Sequence, residues 1–146
     1  MLIRRPVAEV FEAFVDPNIT AKFWFSKGSD RLEAGKKVRW EWEMFGISEQ
    51  INVKTVDPNR RIVIEWPGHG STNTVEWFFR QRPGNTTLVS ITESGFVGDG
   101  DDLVKQVADS TGGFNLVLAG LKAYLEHNVI LNLVADRFPE GPSHGT

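Results

Sequence analysis

The first apolar rhythm along the chain is helical. Val7, Val10, Phe11 and Phe14 recur at three- and four-residue spacing behind Pro6, until Asp16-Pro17 stops the run. Proline suits the first position of a helix, so a short amphipathic helix is predicted here. Asn18 to Phe25 can form a second helix with Ile19, Phe23 and Trp24 on one side, before a polar loop from Ser26 to Arg31. From Lys36 the period falls to two. Val38, Trp40 and Trp42 alternate with Lys37, Arg39, Glu41 and Glu43, as expected of a half-buried strand. Ile51 to Val56 reads the same way, and so do Ile62, Ile64 and Trp66 set against Arg61, Val63 and Glu65. Val75, Trp77 and Phe79 alternate with Glu76, Phe78 and Arg80, and Leu88 to Phe96 follows. Asp57-Pro58-Asn59 and Pro83-Gly84-Asn85 are turns between these strands. Five consecutive strands with tight connections imply an antiparallel sheet, and Leu2 to Arg5 could add a sixth.

The glycine and aspartate loop Gly95 to Asp102 introduces the longest helical pattern. Leu103, Val107, Phe114, Leu118, Leu121 and Leu125 recur, with Val104, Val117 and Tyr124 widening the stripe. Asp99 or Asp101 can cap its start and Asn128 can end it. Gly112-Gly113 interrupts the helix, and each glycine costs about 1 kcal/mol relative to alanine, so a bend or a close contact is expected there. Val129 to Val134 and Phe138 are too apolar for a free tail and should dock on the domain or on a neighbouring subunit. Glu140 to Thr146, with its Gly, Pro and Ser, reads as a frayed end. One domain over residues 1–138 and a flexible tail over 139–146 are therefore expected.

The simplest two-layer packing of these elements wraps a curved sheet around the long helix. If Trp40, Trp42, Ile64, Trp66, Trp77, Phe79 and Phe114 converge, they line an apolar pocket of the kind that holds small molecules. The same side chains could instead interdigitate into a solid core. Phe78 and Val63, on the opposite strand parity, point away from that space. If they cluster with Val129 to Val134, they form a patch favouring self-association.

Composition narrows the classes. With 146 residues the chain is long enough for one core without staples, and no cysteine is present for a disulfide or a zinc-cysteine site. A net charge of −3 with mixed signs offers no basic stripe for nucleic acid. No run of about 20 apolar residues spans a membrane, and Met1-Leu2-Ile3-Arg4-Arg5-Pro6 is no signal peptide, so a cytoplasmic location is expected. Five Trp and ten Phe against one Tyr are a large apolar supply that must fill a core or a cavity.

Several pieces then occur in a telling order: Pro6-Val7-Ala8-Glu9-Val10-Phe11 with Asp16-Pro17 and Phe23-Trp24, then Asp57-Pro58 with Arg60-Arg61, then Thr74-Val75-Glu76-Trp77. Leu88 to Glu93 runs into Ser94-Gly95-Phe96, and Gly113-Phe114 precedes Leu118, Leu121 and Leu125. Spanning nearly the whole chain, they resemble the helix-grip, START-like (SRPBCC) superfamily, and within it the activator of heat-shock-protein-90 ATPase homologue-like domains. The resemblance implies an α+β helix-grip fold, a curved antiparallel β-sheet wrapped around a long C-terminal helix, with two short helices after the first strand. It also implies a cavity that in relatives holds lipids, steroids, polyketides or other apolar molecules. It does not fix an activity, and the co-chaperone role is not carried over by name, because that eukaryotic protein has a further domain. The family normally has a full first strand, whereas this chain offers only Met1 to Arg5. Either the edge is short or the start is truncated, and an open edge favours a homodimer.

By alternation Val89, Ile91 and Glu93 share a face, which the resemblance makes the concave one. A carboxylate among aromatic rings loses solvation and becomes a candidate acid, base or ligand hydrogen-bonder; at the strand end it could equally be solvated or paired with an arginine. Glu93 is the one weak catalytic candidate, and no catalytic residue is assigned. His69, His127 and His144 lack any metal-ligand spacing, and Gly98-Asp99-Gly100-Asp101-Asp102 lacks the ligand order of a calcium loop. No metal and no cofactor are expected. Tyr124, Ser90, Thr92 and Thr111 could supply polar anchors. No nucleophile elbow, phosphate loop or cysteine nucleophile is present, and Asn18-Ile19-Thr20 and Asn85-Thr86-Thr87 match glycosylation sequons by chance.

Three readings follow. The first is a binder of a small apolar or amphipathic ligand, contacted by Trp40, Trp42, Ile64, Trp66, Trp77, Phe79, Ile91, Glu93, Phe114 and Leu118. The second is a protein-interaction module of the co-chaperone type, with a chaperone or other protein partner. The third is a cyclase or aromatase-like enzyme using Glu93.

Overall fold

The structure is a computed structural model and describes residues 1–142. The alternating segments form a sheet of seven strands, all antiparallel, in the order β1-β7-β6-β5-β4-β3-β2. In chain order these are β1 (Leu2–Ile3), β2 (Lys27–Gly28), β3 (Lys37–Trp42), β4 (Ile47–Asp57), β5 (Arg61–Pro67), β6 (Thr72–Arg82) and β7 (Thr86–Ser94). Helices α1 (Val7–Val15) and α2 (Pro17–Thr20) follow β1, α3 (Gly100–His127) follows β7, and α4 (Leu133–Arg137) comes last. Asn59 and Asn85 adopt positive φ in the tight turns that join β4 to β5 and β6 to β7, where asparagine tolerates the left-handed region. A register shift between Val53 and Thr55 breaks the β4–β5 ladder, a bulge of the kind that bends a sheet.

The two faces separate as alternation demands. Val38, Trp40, Ile51, Ile62, Ile64, Val75, Trp77, Phe79 and Val89 are buried on the inner face. Phe11 and Phe14 of α1 reach across to Phe79, with ring centroids 5.1 and 6.0 Å away. From α3, Val117, Leu118 and Leu121 close over the same core. Gly120 lets α3 come close: a β-carbon there would stand 3.1 Å from Phe23 Cβ and 3.3 Å from its carbonyl oxygen.

Strand β1 is held from three sides. It pairs with β7 through Leu2 with Leu88 and Ile3 with Thr87. The Lys122 ammonium donates to the Leu2 carbonyl at 2.9 Å, and Glu126 accepts from the Arg4 amide at 2.9 Å and from Lys122 at 2.6 Å. The Glu126 side chain is only 8% exposed. Burial pushes its carboxyl up, but the Arg4 amide bond, the Lys122 bond and charge and the His127 charge together leave it below its ordinary value.

Several expectations need correction. The second helix ends at Thr20 rather than running to Phe25. Phe23, Trp24 and Phe25 are all buried, and three consecutive buried rings cannot share one helical face, so the chain turns irregularly there. The Ser26 to Arg31 segment is not wholly loop. It contains β2, paired with β3 by two residues, too few to show a period. The first turns of α3 stand outside the core, with Val104 67% and Val107 43% exposed. Asp99 occupies the cap position of α3 without a side-chain capping bond, whereas Asn128 ends the helix in the left-handed region at φ 54°.

The segment after α3 docks in part: Val134 packs on the core, while Val129, Ile130 and Leu131 are 42–49% exposed. Ile130 to Ala135 faces Ala21 to Ser26 and Met44, on the side of the sheet that carries the helices. Phe78 lies on the outer face beneath the Arg61 guanidinium, 5.6 Å from the ring centre, and Val63 there is buried. The predicted patch joining Phe78 and Val63 to Val129–Val134 is therefore not formed, because the sheet lies between them. Of the tail expected over 139–146, residues 143–146, including His144, lie outside the described residues.

Candidate ligand-binding site

At the end of the sheet away from α1, the concave face is left partly open. Trp24, delivered by the turn after α2, stands 5.7 Å from the ring of Phe114 and 6.1 Å from that of Trp66. Trp66 and Phe114 stack at 6.0 Å with 27° between their planes. These rings, together with Trp42, Phe45, Ile47, Val134 and Phe138, wall an apolar cavity of about 270 Å³ between the sheet and α3. A smaller cavity of about 210 Å³ lies between β7 and α3, bordered by Ile91, Phe96, Val107 and Leu118. Glu93, Ser110 and Phe114 border both.

Glu93 is the polar centre of this region. Its Oε2 accepts from Trp66 Nε1 at 2.8 Å and from Asn73 Nδ2 at 3.0 Å, and its Oε1 accepts from the Ser110 hydroxyl at 2.6 Å. The parity that places Glu93 inward also explains Asn73, which continues the inner row of Val75, Trp77 and Phe79 and is buried. Asn73 is oriented in turn. Its Oδ1 accepts from the Ser71 hydroxyl at 3.1 Å, and Gly68 leaves it room, since a β-carbon there would fall 2.4 Å from that oxygen. Three neutral donors thus surround the half-buried carboxyl group near the end of β7, and among the described residues no arginine pairs with it.

The ten residues expected to line the site divide. Trp42, Trp66, Glu93 and Phe114 border the larger cavity, while Ile91 and Leu118 join Glu93 and Phe114 at the smaller one. Trp40, Ile64, Trp77 and Phe79 border neither. They are 0–5% exposed and packed in the solid core, where Trp40 stacks on Phe25 at 4.9 Å and Trp77 meets Phe14 at 5.9 Å. The physical reason is what lies above them, for α1 and the 23–25 turn supply aromatic rings that fill that half. Of the other polar anchors considered, Thr92 and Thr111 border the smaller cavity. Ser90 faces outward opposite Phe78, and Tyr124 sits with Leu125 near Glu12.

Sequence reasoning missed Trp24, Phe45, Asn73, Ser110, Arg137 and Phe138. Asn73 was detectable as a polar residue at an inward position, and Ser110 as the residue four before Phe114 on one helical face. Arg137 had only an indirect signal, the glycine pair it covers. At the cavity rim its guanidinium carbon lies 4.9 Å from the centre of the Phe138 ring, and Phe138 packs edge-on to Phe45 at 6.1 Å. Glu49 lies opposite Trp40 in the β3–β4 ladder, and burial pushes its carboxyl above its ordinary value. His69 and His127 are exposed, and among the described residues no three His, Cys, Asp or Glu side chains group as a metal site. No helix of the described residues is long and apolar enough to cross a membrane.

Comparison with known proteins agrees with this architecture. The structure of SSP2350 from Staphylococcus saprophyticus is 35% identical, with a TM-score of 0.77 over 90% of this chain and 91% of that one. DynU16, from the dynemicin biosynthetic locus, is 25% identical with a TM-score of 0.72 over 89% of this chain, which spans only 46% of DynU16. The Aha1 dimer from Colwellia psychrerythraea shares the fold, with a TM-score of 0.72 at 18% identity over 87% of this chain and 92% of that one. No curated protein matches the chain by sequence. The family model of Activator of Hsp90 ATPase homolog 1-like proteins matches residues 4–126, and with that match the chain belongs to this family.

Proposed function

We propose that this protein binds a small apolar or amphipathic molecule in the cavity between the sheet and α3, with Glu93 as its polar anchor. The observation that carries the reading is an apolar space of about 270 Å³ bordered by a carboxylate already fixed in position by three donors. A carboxylate has about four acceptor positions, so Oε1, with one protein donor, keeps capacity for a ligand hydroxyl or amide. The aromatic walls supply the rest: each buried methylene of a ligand contributes about 0.8 kcal/mol, or roughly fourfold in affinity. The kinship with DynU16, a protein of a biosynthetic locus, supports a small molecule as the occupant.

The test uses a neutral apolar fluorophore, N-phenyl-1-naphthylamine, whose emission rises on leaving water. Saturable binding at one site per chain is expected, with quenching of tryptophan emission and at least about a tenfold loss in Phe114→Ala, as for truncation of a central aromatic contact. Native mass spectrometry of the gently purified protein, followed by organic extraction, would reveal a co-purifying ligand and count subunits in the same spectrum. Absence of any saturable binding, by the fluorophore or by a lipid panel, would overturn the reading.

A further inference from the structure

Among the described residues, Arg137 is the one cation that borders the larger cavity. Its setting is built rather than incidental. The guanidinium lies over the backbone of Gly112 and Gly113, with the Phe138 ring on it. A β-carbon at Gly112 would stand 3.1 Å from Nη2, and one at Gly113 would stand 3.2 Å from Nη1. Two glycines inside a helix weaken it, and the contact they make possible here is the seat of this side chain.

The seat leaves the guanidinium short of acceptors. It carries five N–H donors in a planar fork, yet among the described residues its one hydrogen bond runs from Nη1 to the Asp109 carbonyl at 3.3 Å. The Asp109 carboxylate, which also borders the cavity, forms an ion pair with it at 3.9 Å from Nη2, too far for a hydrogen bond, and the arginine side chain is 27% exposed. A fixed cation with spare donors at the rim of an apolar cavity matches one ligand feature, a carboxylate taken by two parallel N–H bonds. Glu93 sets the orientation. At the Glu93 end an ionised acid group meets a carboxylate and no cation, whereas at the Arg137 end it meets the cavity's one cation, there beside Asp109.

We infer that the cavity takes an apolar carboxylic acid, its acid group on Arg137 and its apolar body against Trp42, Trp66 and Phe114. This rests on the ligand-binding reading above and adds the charge class of the ligand. The test is displacement of bound N-phenyl-1-naphthylamine by 2-naphthoate and by its methyl ester, in the wild-type protein and in Arg137→Gln. The acid should displace the probe at about tenfold lower concentration than the ester or better, as expected for hydrogen bonds between charged groups. Arg137→Gln should erase that preference, bringing the acid to the potency of the ester, and Arg137→Lys should restore only part of it. Equal potency of acid and ester in the wild type overturns the inference while apolar binding stands. Displacement by neither, with the probe still bound, also overturns it. Failure of the probe itself to bind removes the inference together with the reading beneath it. Should Arg137→Gln undock α4 and weaken the ester too, the wild-type ratio of acid to ester still decides.

Discussion

The two ends of the concave face are made of the same material and behave differently. At one end Trp77 and Phe79 meet Phe11 and Phe14 of α1, and with Ile64 they are buried in the core. At the other, Trp42 and Trp66 on the same face border a cavity. Inward parity and residue type do not separate the two sets. What separates them is the cover: a helix rich in phenylalanine over the first, and over the second the continuous helix α3 at its Gly112-Gly113 pair, with the short α4 beside it. A row of inward aromatic residues therefore becomes a core or a binding wall according to what lies across from it.

The largest effect that could break this contrast is a truncation on each side. Trp77→Ala should cost about 3–5 kcal/mol, the usual loss for a fully packed ring, in denaturant titrations with an unchanged slope. Phe114→Ala, whose ring already borders empty space, should cost about half as much or less, because fewer packing contacts are lost. Equal losses would mean that the cavity end is as tightly packed as the core.

Next in size is an acid limb of stability belonging to the closed end. Glu126 is held below its ordinary value of 4.5 in the folded chain, so its stabilisation is fully present above that pH. It is lost as pH falls through the lower folded value. Glu126→Gln should remove about 1.5–3 kcal/mol near neutrality, typical of hydrogen bonds to a charged group, and should flatten the fall in stability below pH of about 4.5. A parallel acid limb in wild type and variant would dismiss the role of this clasp.

At the open end Glu93→Ala should cost about 1–3 kcal/mol, because the Trp66, Asn73 and Ser110 donors lose their common acceptor. Glu93→Gln sharpens the point, since its amide would face the donors of Trp66 or Ser110 and repair only part of the loss. The smallest effect has the opposite sign. Glu49 is pushed up by burial, so its ionisation opposes folding as pH rises through its raised value. Glu49→Gln should raise the unfolding free energy at pH 7 by no more than about 0.5 kcal/mol, and a loss would show that the carboxylate has a partner in solution.

Much of this architecture was legible in the order of residues. Alternation located the strands β3 to β7, and helical spacing located α1 and most of α3, because each pattern ran long enough to show its period. Two-residue β2 could show none, and the chain after Thr20 obeyed the burial of three neighbouring rings rather than helix propensity. Within the site, parity on β7 put Glu93 on the face of Val89 and Ile91, and the family resemblance made that face the concave one. The same rule placed Trp40, Ile64, Trp77 and Phe79 inward but could not tell that α1 covers Trp77 and Phe79 and that Phe25 covers Trp40. Arg137 was invisible for a different reason, since its position depends on a short helix that returns across a glycine pair twenty-four residues earlier in the chain.

The tryptophans have an optical consequence. Trp24 lies 4.9 Å from Trp40, 6.1 Å from Trp42 and Trp66 and 6.0 Å from Trp77, so the other four indoles of the chain are all neighbours of this one ring. At such spacings electronic transitions couple, and the protein should show an exciton couplet in circular dichroism rather than five independent bands. Excitation absorbed anywhere in the cluster can migrate among its members. An event at the Trp42 and Trp66 wall would then change the light emitted by the whole set, including rings sealed in the core.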